Sequence, residues 1–265
     1  LIGANIKGAS ITNGTINLVS GNTSTYPTIY NADITSNNRA TIESGLYAYG
    51  LFPYFVGNLS ELNIYINEVN LNSINENNDA KAIGALCGYA EGATINNVNV
   101  YMNVTNTNSK LGEYYLGGIV GVIGGESSIS NVTSAGSFNL SVDSSYVSTT
   151  SSAYLNGSAI GGVVGYIDES LANLDTLLSG VNINANLGSN KSYAIGGVVG
   201  AGYTRICQKL ENVGNVNIGS STTALTYSNL YLSGIIGRLL GESGETAKTA
   251  EINNLTNQGT VTLYG

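Results

Sequence analysis

The chain has 265 residues, 42% of them hydrophobic and only 10% charged, and its 9 basic against 17 acidic residues leave a net charge of −8. With no basic cluster, that balance excludes a nucleic-acid backbone as partner and disfavours an anionic membrane surface. There is no histidine, so Ser-His-Asp and Cys-His nucleophile arrangements are impossible and the commonest general base and metal ligand is missing.

The charged fraction is well below the roughly 25% usual for soluble domains, so solubility rests on Asn, Ser and Thr. No run of about 20 apolar residues exists to span a membrane as a helix. The chain opens inside what reads as a repeat, with neither an initiator Met nor a signal peptide, as expected of a mature or excised piece of something longer.

Residues 1–50 read as an irregular N-terminal coil or cap. Within them ASITNGTINLV, from Ala9 to Val19, alternates apolar and polar residues as a half-buried strand does. Residues 22–39 are polar and turn-rich, contain Pro27, and read as a loop. From Leu51 a phrase recurs: LFPYFVGNL, then KAIGALCGYA from Lys81, YLGGIVGVI from Tyr115, SAIGGVVGYI from Ser158, YAIGGVVGAG from Tyr193 and LSGIIGRLL from Leu232. Aligned on Pro53, Gly84, Gly117, Gly161, Gly196 and Ser233, the steps are 31, 33, 44, 35 and 37 residues. Self-similarity at such periods marks a stacked repeat.

A second element follows each phrase: ITN at Ile11, INNV at Ile95, ISNV at Ile129, LANL at Leu171, LENV at Leu210 and INNL at Ile252. Its third residue is Asn13, Asn97, Asn131, Asn173, Asn212 or Asn254, with Glu61 in that place in the first full repeat. Alternating strands such as NVYMNV from Asn99 and SFNLSV from Ser137 come next. The expected fold is all-β: a β-solenoid (parallel β-helix) of about six repeats of 31–44 residues, with 51–265 as one continuous domain. Turn tips of variable length absorb the spread. In such a stack, Asn at one inward position can bond to the amide above and below, so the six Asn residues are expected to form an inward ladder.

The segment DESLANLDTLLSG, from Asp168 to Gly180, has Leu171, Leu174 and Leu178 at helical spacing. Locally it reads as a short helix; the register of neighbouring repeats favours strand and turn. The glycine phrase is apolar on both strand faces. One set is Phe55, Leu86, Ile119, Val163, Val198 and Ile235; the other is Val56, Cys87, Val120, Val164, Val199 and Ile236. Either glycine bends the chain so that both point inward, or the first set is an exposed stripe that contacts another molecule. Cys87 falls at a core position three repeats from Cys207, so both are expected as free thiols.

The AIGGVVG phrase, the I-x-N-V phrase and the glycine-led strand together resemble the GLUG-motif repeats of bacterial cell-surface proteins, over roughly residues 50–265. The aromatic or Cys residue often found after the motif's Asn is Val or Leu here. The resemblance implies a secreted or wall-attached β-solenoid from large adhesin-like proteins or accessory regions of surface proteases, and transfers no catalytic residue.

The close carboxylate pairs are Asp168–Glu169 and Glu242/Glu245, both in expected turns, where solvated acids are the simpler reading. The ligand count for calcium is poor, and no Lys-Ser/Thr follows the glycines as a phosphate loop requires. Among the 18 tyrosines, Tyr26, Tyr30, Tyr47, Tyr49, Tyr65, Tyr101, Tyr114, Tyr146, Tyr154 and Tyr203 read as loop or outward residues, suited either to carbohydrate or protein contacts or simply to strand formation. The Asn-x-Ser/Thr sequons, from Asn13 to Asn254, are explained mostly by composition.

The expected function is a non-catalytic extracellular scaffold or adhesion region of a bacterial surface protein, without cofactor or metal. It would contact protein or glycan at a surface, or copies of itself, without inserting in a membrane. The alternatives are a self-assembling subunit of a surface filament or layer, and a carbohydrate-active enzyme on a β-helix.

Overall fold

The computed structural model describes residues 5–17, 40–43, 46–71, 80–106, 113–141, 157–168, 172–187, 192–203, 205–220, 229–240 and 251–264. These residues form a parallel β-solenoid with three strand-bearing faces per coil. The first face stacks Leu46–Tyr49, Ala80–Gly84, Tyr114–Gly117, Ser158–Gly161, Ser192–Gly196 and Asn229–Ser233 in chain order. The second stacks the start of Phe52–Asn70 with Cys87–Glu91, Val120–Gly124, Val164–Ile167, Val199–Gly202 and Ile236–Leu239. The third carries the long strands: Asn5–Asn17, the remainder of Phe52–Asn70, Thr94–Asn106, Ser128–Ser141 and Asn173–Asn186, then two broken coils. Because Phe52–Asn70 runs through the corner, the second and third faces belong to one 14-stranded sheet and the first is a sheet of 7. Ala40–Glu43 pairs antiparallel with Leu46–Tyr49 at one end; every other described pairing is parallel.

Each coil is a sequence of local decisions. Beyond one left-handed residue the third-face strand alternates, with Val98, Val100, Met102 and Val104 inside and Asn99, Tyr101 and Asn103 outside. The glycine phrase makes the corner between the first two faces. At Gly161 an added Cβ would stand 2.0 Å from the Val164 carbonyl oxygen, so the bend closes only around glycine. Just beyond it the Val163 and Val164 N–H groups both donate to the Val198 carbonyl oxygen of the next coil, at 2.9 and 3.1 Å. Both side chains are 0% exposed.

That corner decides between the two readings of the apolar phrase. Phe55, Leu86, Ile119, Val163 and Val198 are all 0% exposed and Ile235 8%, so the stripe expected as an interface lies in the core. A straight strand would send consecutive residues to opposite sides, but the glycine bend turns both inward. The register also moves the first repeat: Phe52 pairs with Cys87 and Tyr54 with Tyr89. Gly50, not Pro53, therefore stands opposite Gly84, and Leu51 rather than Phe55 belongs to the Leu86 column.

Two other expectations resolve on register. Asn173–Asn186 is a strand paired over its length with Ser128–Ser141, so the helical spacing around Leu174 is overridden by the neighbouring coil. Asn5–Asn17 pairs in parallel with Phe52–Asn70, so this part of the N-terminal region is a strand of the stack rather than an irregular coil. Residues 22–39 lie outside the described residues.

Two apolar clusters result. The main one fills the interior between the three faces. A smaller one, including Ala82, Ala159, Tyr115 and Tyr166, packs between the first two faces, with Tyr115 and Tyr166 stacked at 5.1 Å between ring centroids. Cys87 and Cys207 are free and buried, as expected.

Candidate functional site

The conspicuous Asn column is conformational. Glu61, Asn97, Asn131, Thr176, Lys209 and Asn254 all have φ between 52° and 60°, the left-handed region. Flanking pairs such as Ser130↔Asp175 and Val132↔Leu177 place them in one register position, and all are exposed. Asn13 belongs there too, between Thr12↔Ser60 and Gly14↔Leu62. Asn tolerates this conformation better than most residues because its side chain is short and polar, and here it is also tied to the neighbouring coil: Asn131 Nδ2 donates to Asn96 Oδ1 at 3.0 Å. The expected inward ladder is thus corrected to an outward ridge.

Asn173 and Asn212 leave that column altogether. Asn173 pairs with Ser128, three positions early, and Asn212 aligns with Ser179, three positions late. The matching phrases at Leu171 and Leu210 are decoys; the true equivalents of ISNV are LDTL from Leu174 and CQKL from Cys207.

Thr and Lys adopt the left-handed region less readily than Asn, although Thr176 Oγ1 donates to Asp175 Oδ1 at 2.8 Å and Lys209 Nζ lies 3.4 Å from the same carboxylate oxygen. Replacing Thr176 with Asn is expected to raise stability by about 0.5–1 kcal/mol, and Asn131→Val to lower it by ~1–2 kcal/mol. Chemical-denaturation midpoints of the two variants check both signs.

An inward polar column does exist, at a different place. Ser134, Ser179 and Asn212 are 0% exposed and Asn257 continues the line. They fit because the second residue of each glycine pair has no side chain: a Cβ on Gly162 would lie 2.0 Å from Ser179 Oγ, and one on Gly197 2.5 Å from Asn212 Cγ. Asn212 Nδ2 donates to Asn257 Oδ1 and to the Gly214 carbonyl, both at 2.8 Å.

Of the four candidate carboxylates, only Asp168 falls among the described residues. Asp168 accepts a hydrogen bond from Tyr89 Oη at 3.4 Å; Glu169, Glu242 and Glu245 lie outside the described residues. Tyr54 donates to Glu91, and burial together with that carboxylate pushes its hydroxyl up to about 12. No group of three His, Cys, Asp or Glu that could hold a metal occurs among the described residues. Of the expected outward tyrosines, Tyr49 and Tyr114 are buried at 2% and 1% exposure, while Tyr26, Tyr30, Tyr146 and Tyr154 lie outside the described residues. Tyr101 is exposed, and Tyr65 pairs with it in register.

Burial pushes the Cys207 thiol up from 9.0 to about 12, and Cys87 also rises. A thiol whose folded pKa is raised stabilises fully below the unfolded value of 9.0 and loses that contribution as pH climbs to the folded value, because the unfolded chain gives up its proton first. Stability is therefore expected to fall between about pH 9 and 12. Replacing both thiols with Val is expected to flatten the decline, read from urea midpoints across that range.

No protein family, curated protein or solved structure matches the chain in comparison.

The outward side of the third face completes the site. Its columns are Asn, Ser, Thr and Tyr, joined coil to coil: Asn99 Nδ2 donates to Asn63 Oδ1, and Asn184 Nδ2 to Asn139 Oδ1, both at 3.0 Å. This broad, rigid, mostly uncharged sheet surface presents amides and hydroxyls in rows, with the exposed Lys209–Asp175 ion pair at 3.4 Å among its few charges.

Proposed function

We propose that the chain is a non-catalytic extracellular scaffold and adhesion region of a bacterial surface protein, akin to GLUG-motif repeats. What carries the reading is the outward third face: an ordered polar surface across all coils, fixed by side-chain ladders and contributing nothing to the core. Rows of pre-ordered hydrogen-bonding groups on a stiff stack suit contact with an extended surface. Asp168, bonded to a tyrosine, is a turn acid in this reading. Beads coated with the chain should attach to mucin-coated glass and withstand washing that removes albumin-coated beads. Equal loss of both sinks the adhesion role. Cleavage of polygalacturonate that vanishes in Asp168→Asn sinks the non-catalytic one.

A second reading, a subunit that assembles by stacking, draws support from the last coil. Ile252, Leu255, Val261 and Leu263 are 39–54% exposed, while their register partners Cys207, Leu210, Val216 and Ile218 are 0% exposed. Those four side chains are patterned to receive another coil, whether from a second copy or from further repeats of the same protein. Sedimentation velocity separates the readings: mass growing with concentration, and reduced by Leu263→Lys, favours assembly.

A further inference from the structure

Along the outward third face one path of hydrogen bonds crosses four coils without interruption. Asn103 Nδ2 donates to Tyr101 Oη at 3.3 Å, and Ser137 Oγ to Asn103 Oδ1 at 2.9 Å. Asn139 Nδ2 then donates to Ser137 Oγ at 3.4 Å, Asn184 Nδ2 to Asn139 Oδ1 at 3.0 Å, and Asn217 Nδ2 to Asn184 Oδ1 at 3.0 Å. At its start Tyr101 is 40% exposed beside the register partner Tyr65. Ala135, Gly180, Asn182 and Asn215 around it are uncharged, and Glu68 lies at its edge, in the bulge between Ile66↔Met102 and Val69↔Val104.

Three properties of this strip point to one ligand chemistry. A primary amide has two N–H donors and an oxygen with two lone pairs. The ladder uses one donor and one lone pair of Asn139 and of Asn184, which locks their rotamers while leaving capacity for a ligand. The usual entropy cost of ordering such side chains on binding is therefore already met. The strip is also electrically neutral within a chain of net charge −8, so an anionic polymer gains nothing here. Finally, the strip offers a single aromatic platform and no apolar pocket, whereas protein interfaces rely on buried apolar anchors. The C–H face of a sugar ring matches the tyrosine, and ring hydroxyls match the amides. Successive Asn residues recur at the strand spacing of about 4.8 Å, comparable to one sugar residue in an extended chain.

We propose that this strip binds an uncharged polysaccharide that crosses the coils obliquely, stacked on Tyr101 and hydrogen-bonded by the column of Asn139, Asn184 and Asn217, which lies four residues further along the strands. The proposal deepens the adhesion reading and rests on it.

Titration calorimetry of the full 265-residue chain with cellohexaose, mannohexaose, xylohexaose and oligogalacturonate tests it. At least one neutral hexasaccharide should bind and the galacturonate should not. Tyr101→Ala should weaken binding at least tenfold, Asn184→Ala several-fold, and Tyr101→Phe by less than threefold, all with unchanged circular dichroism. Absence of neutral-glycan binding, preference for the galacturonate, or full affinity in Tyr101→Ala overturns the site. The mucin-bead assay separates the two claims. Beads that attach equally with Tyr101→Ala keep the adhesion reading and reject this strip. Binding of a neutral hexasaccharide without bead attachment keeps the strip and rejects the adhesion reading.

Discussion

Gly161→Ala should destabilise the solenoid by about 3 kcal/mol or more, with the urea midpoint falling accordingly and the denaturant slope unchanged. The added methyl would lie 2.0 Å from the Val164 oxygen, 2.6 Å from the Gly200 nitrogen and 2.8 Å from the Val198 oxygen. All three are backbone atoms held by coil-to-coil pairing, so no side chain can swing away to make room. Gly92→Ala is the informative contrast. Its φ is 55° and nothing lies within 4 Å of the new methyl, so only left-handed strain of ~1–2 kcal/mol applies. If Gly161→Ala costs no more than Gly92→Ala, close packing at the corner does not define the coil.

The second large effect is expected from charge at the same bend. Val163→Lys buries an ammonium where the native side chain is 0% exposed and where the cluster around it is apolar. Several kcal/mol of desolvation is comparable with a typical total stability of about 5–15 kcal/mol. The variant should be recovered unfolded or degraded. Val213→Lys, on the outward third face at 45% exposure, should fold with a change within about 0.5 kcal/mol. A folded, soluble Val163→Lys would restore the view that this valine lies on an open surface.

The stack was legible in the sequence because two periodicities coincide: the glycine phrase every 33–44 residues from Gly84 onward, and period-2 alternation in strands such as Thr94–Asn106. Reading failed where side-chain direction depends on a backbone angle. The Asn of INNV sits two residues after Ile95 and so reads as inward, but its left-handed φ breaks the alternation and turns it to solvent. Glu61 in the same column carried the warning, since its charge is not tolerable in a core without a partner. The decoys at Asn173 and Asn212 arose because Asn, Ile and Leu are common enough to reproduce a four-residue phrase off register. The interface stripe failed for a related reason: consecutive residues share a side only at a bend, and bends were visible as glycine pairs without their geometry. The hydrogen-bonded path from Tyr101 to Asn217 left no sequence signal, because its members come from four different coils.

The spacing between faces divides the chain into two evolutionary regimes. Seven residues (107–113) separate the strand ending at Asn106 from the one starting at Tyr114, and sixteen (142–157) separate Ser141 from Ser158. Yet Tyr115↔Ala159 and Leu116↔Ile160 still pair in register, as Lys81↔Tyr114 and Ile83↔Leu116 do. An insertion inside a sheet shifts every side chain beyond it to the wrong side, whereas one in these connections leaves the ladder intact. Selection can therefore vary the length and chemistry of these connections, coil by coil, while the sheets they join keep their register.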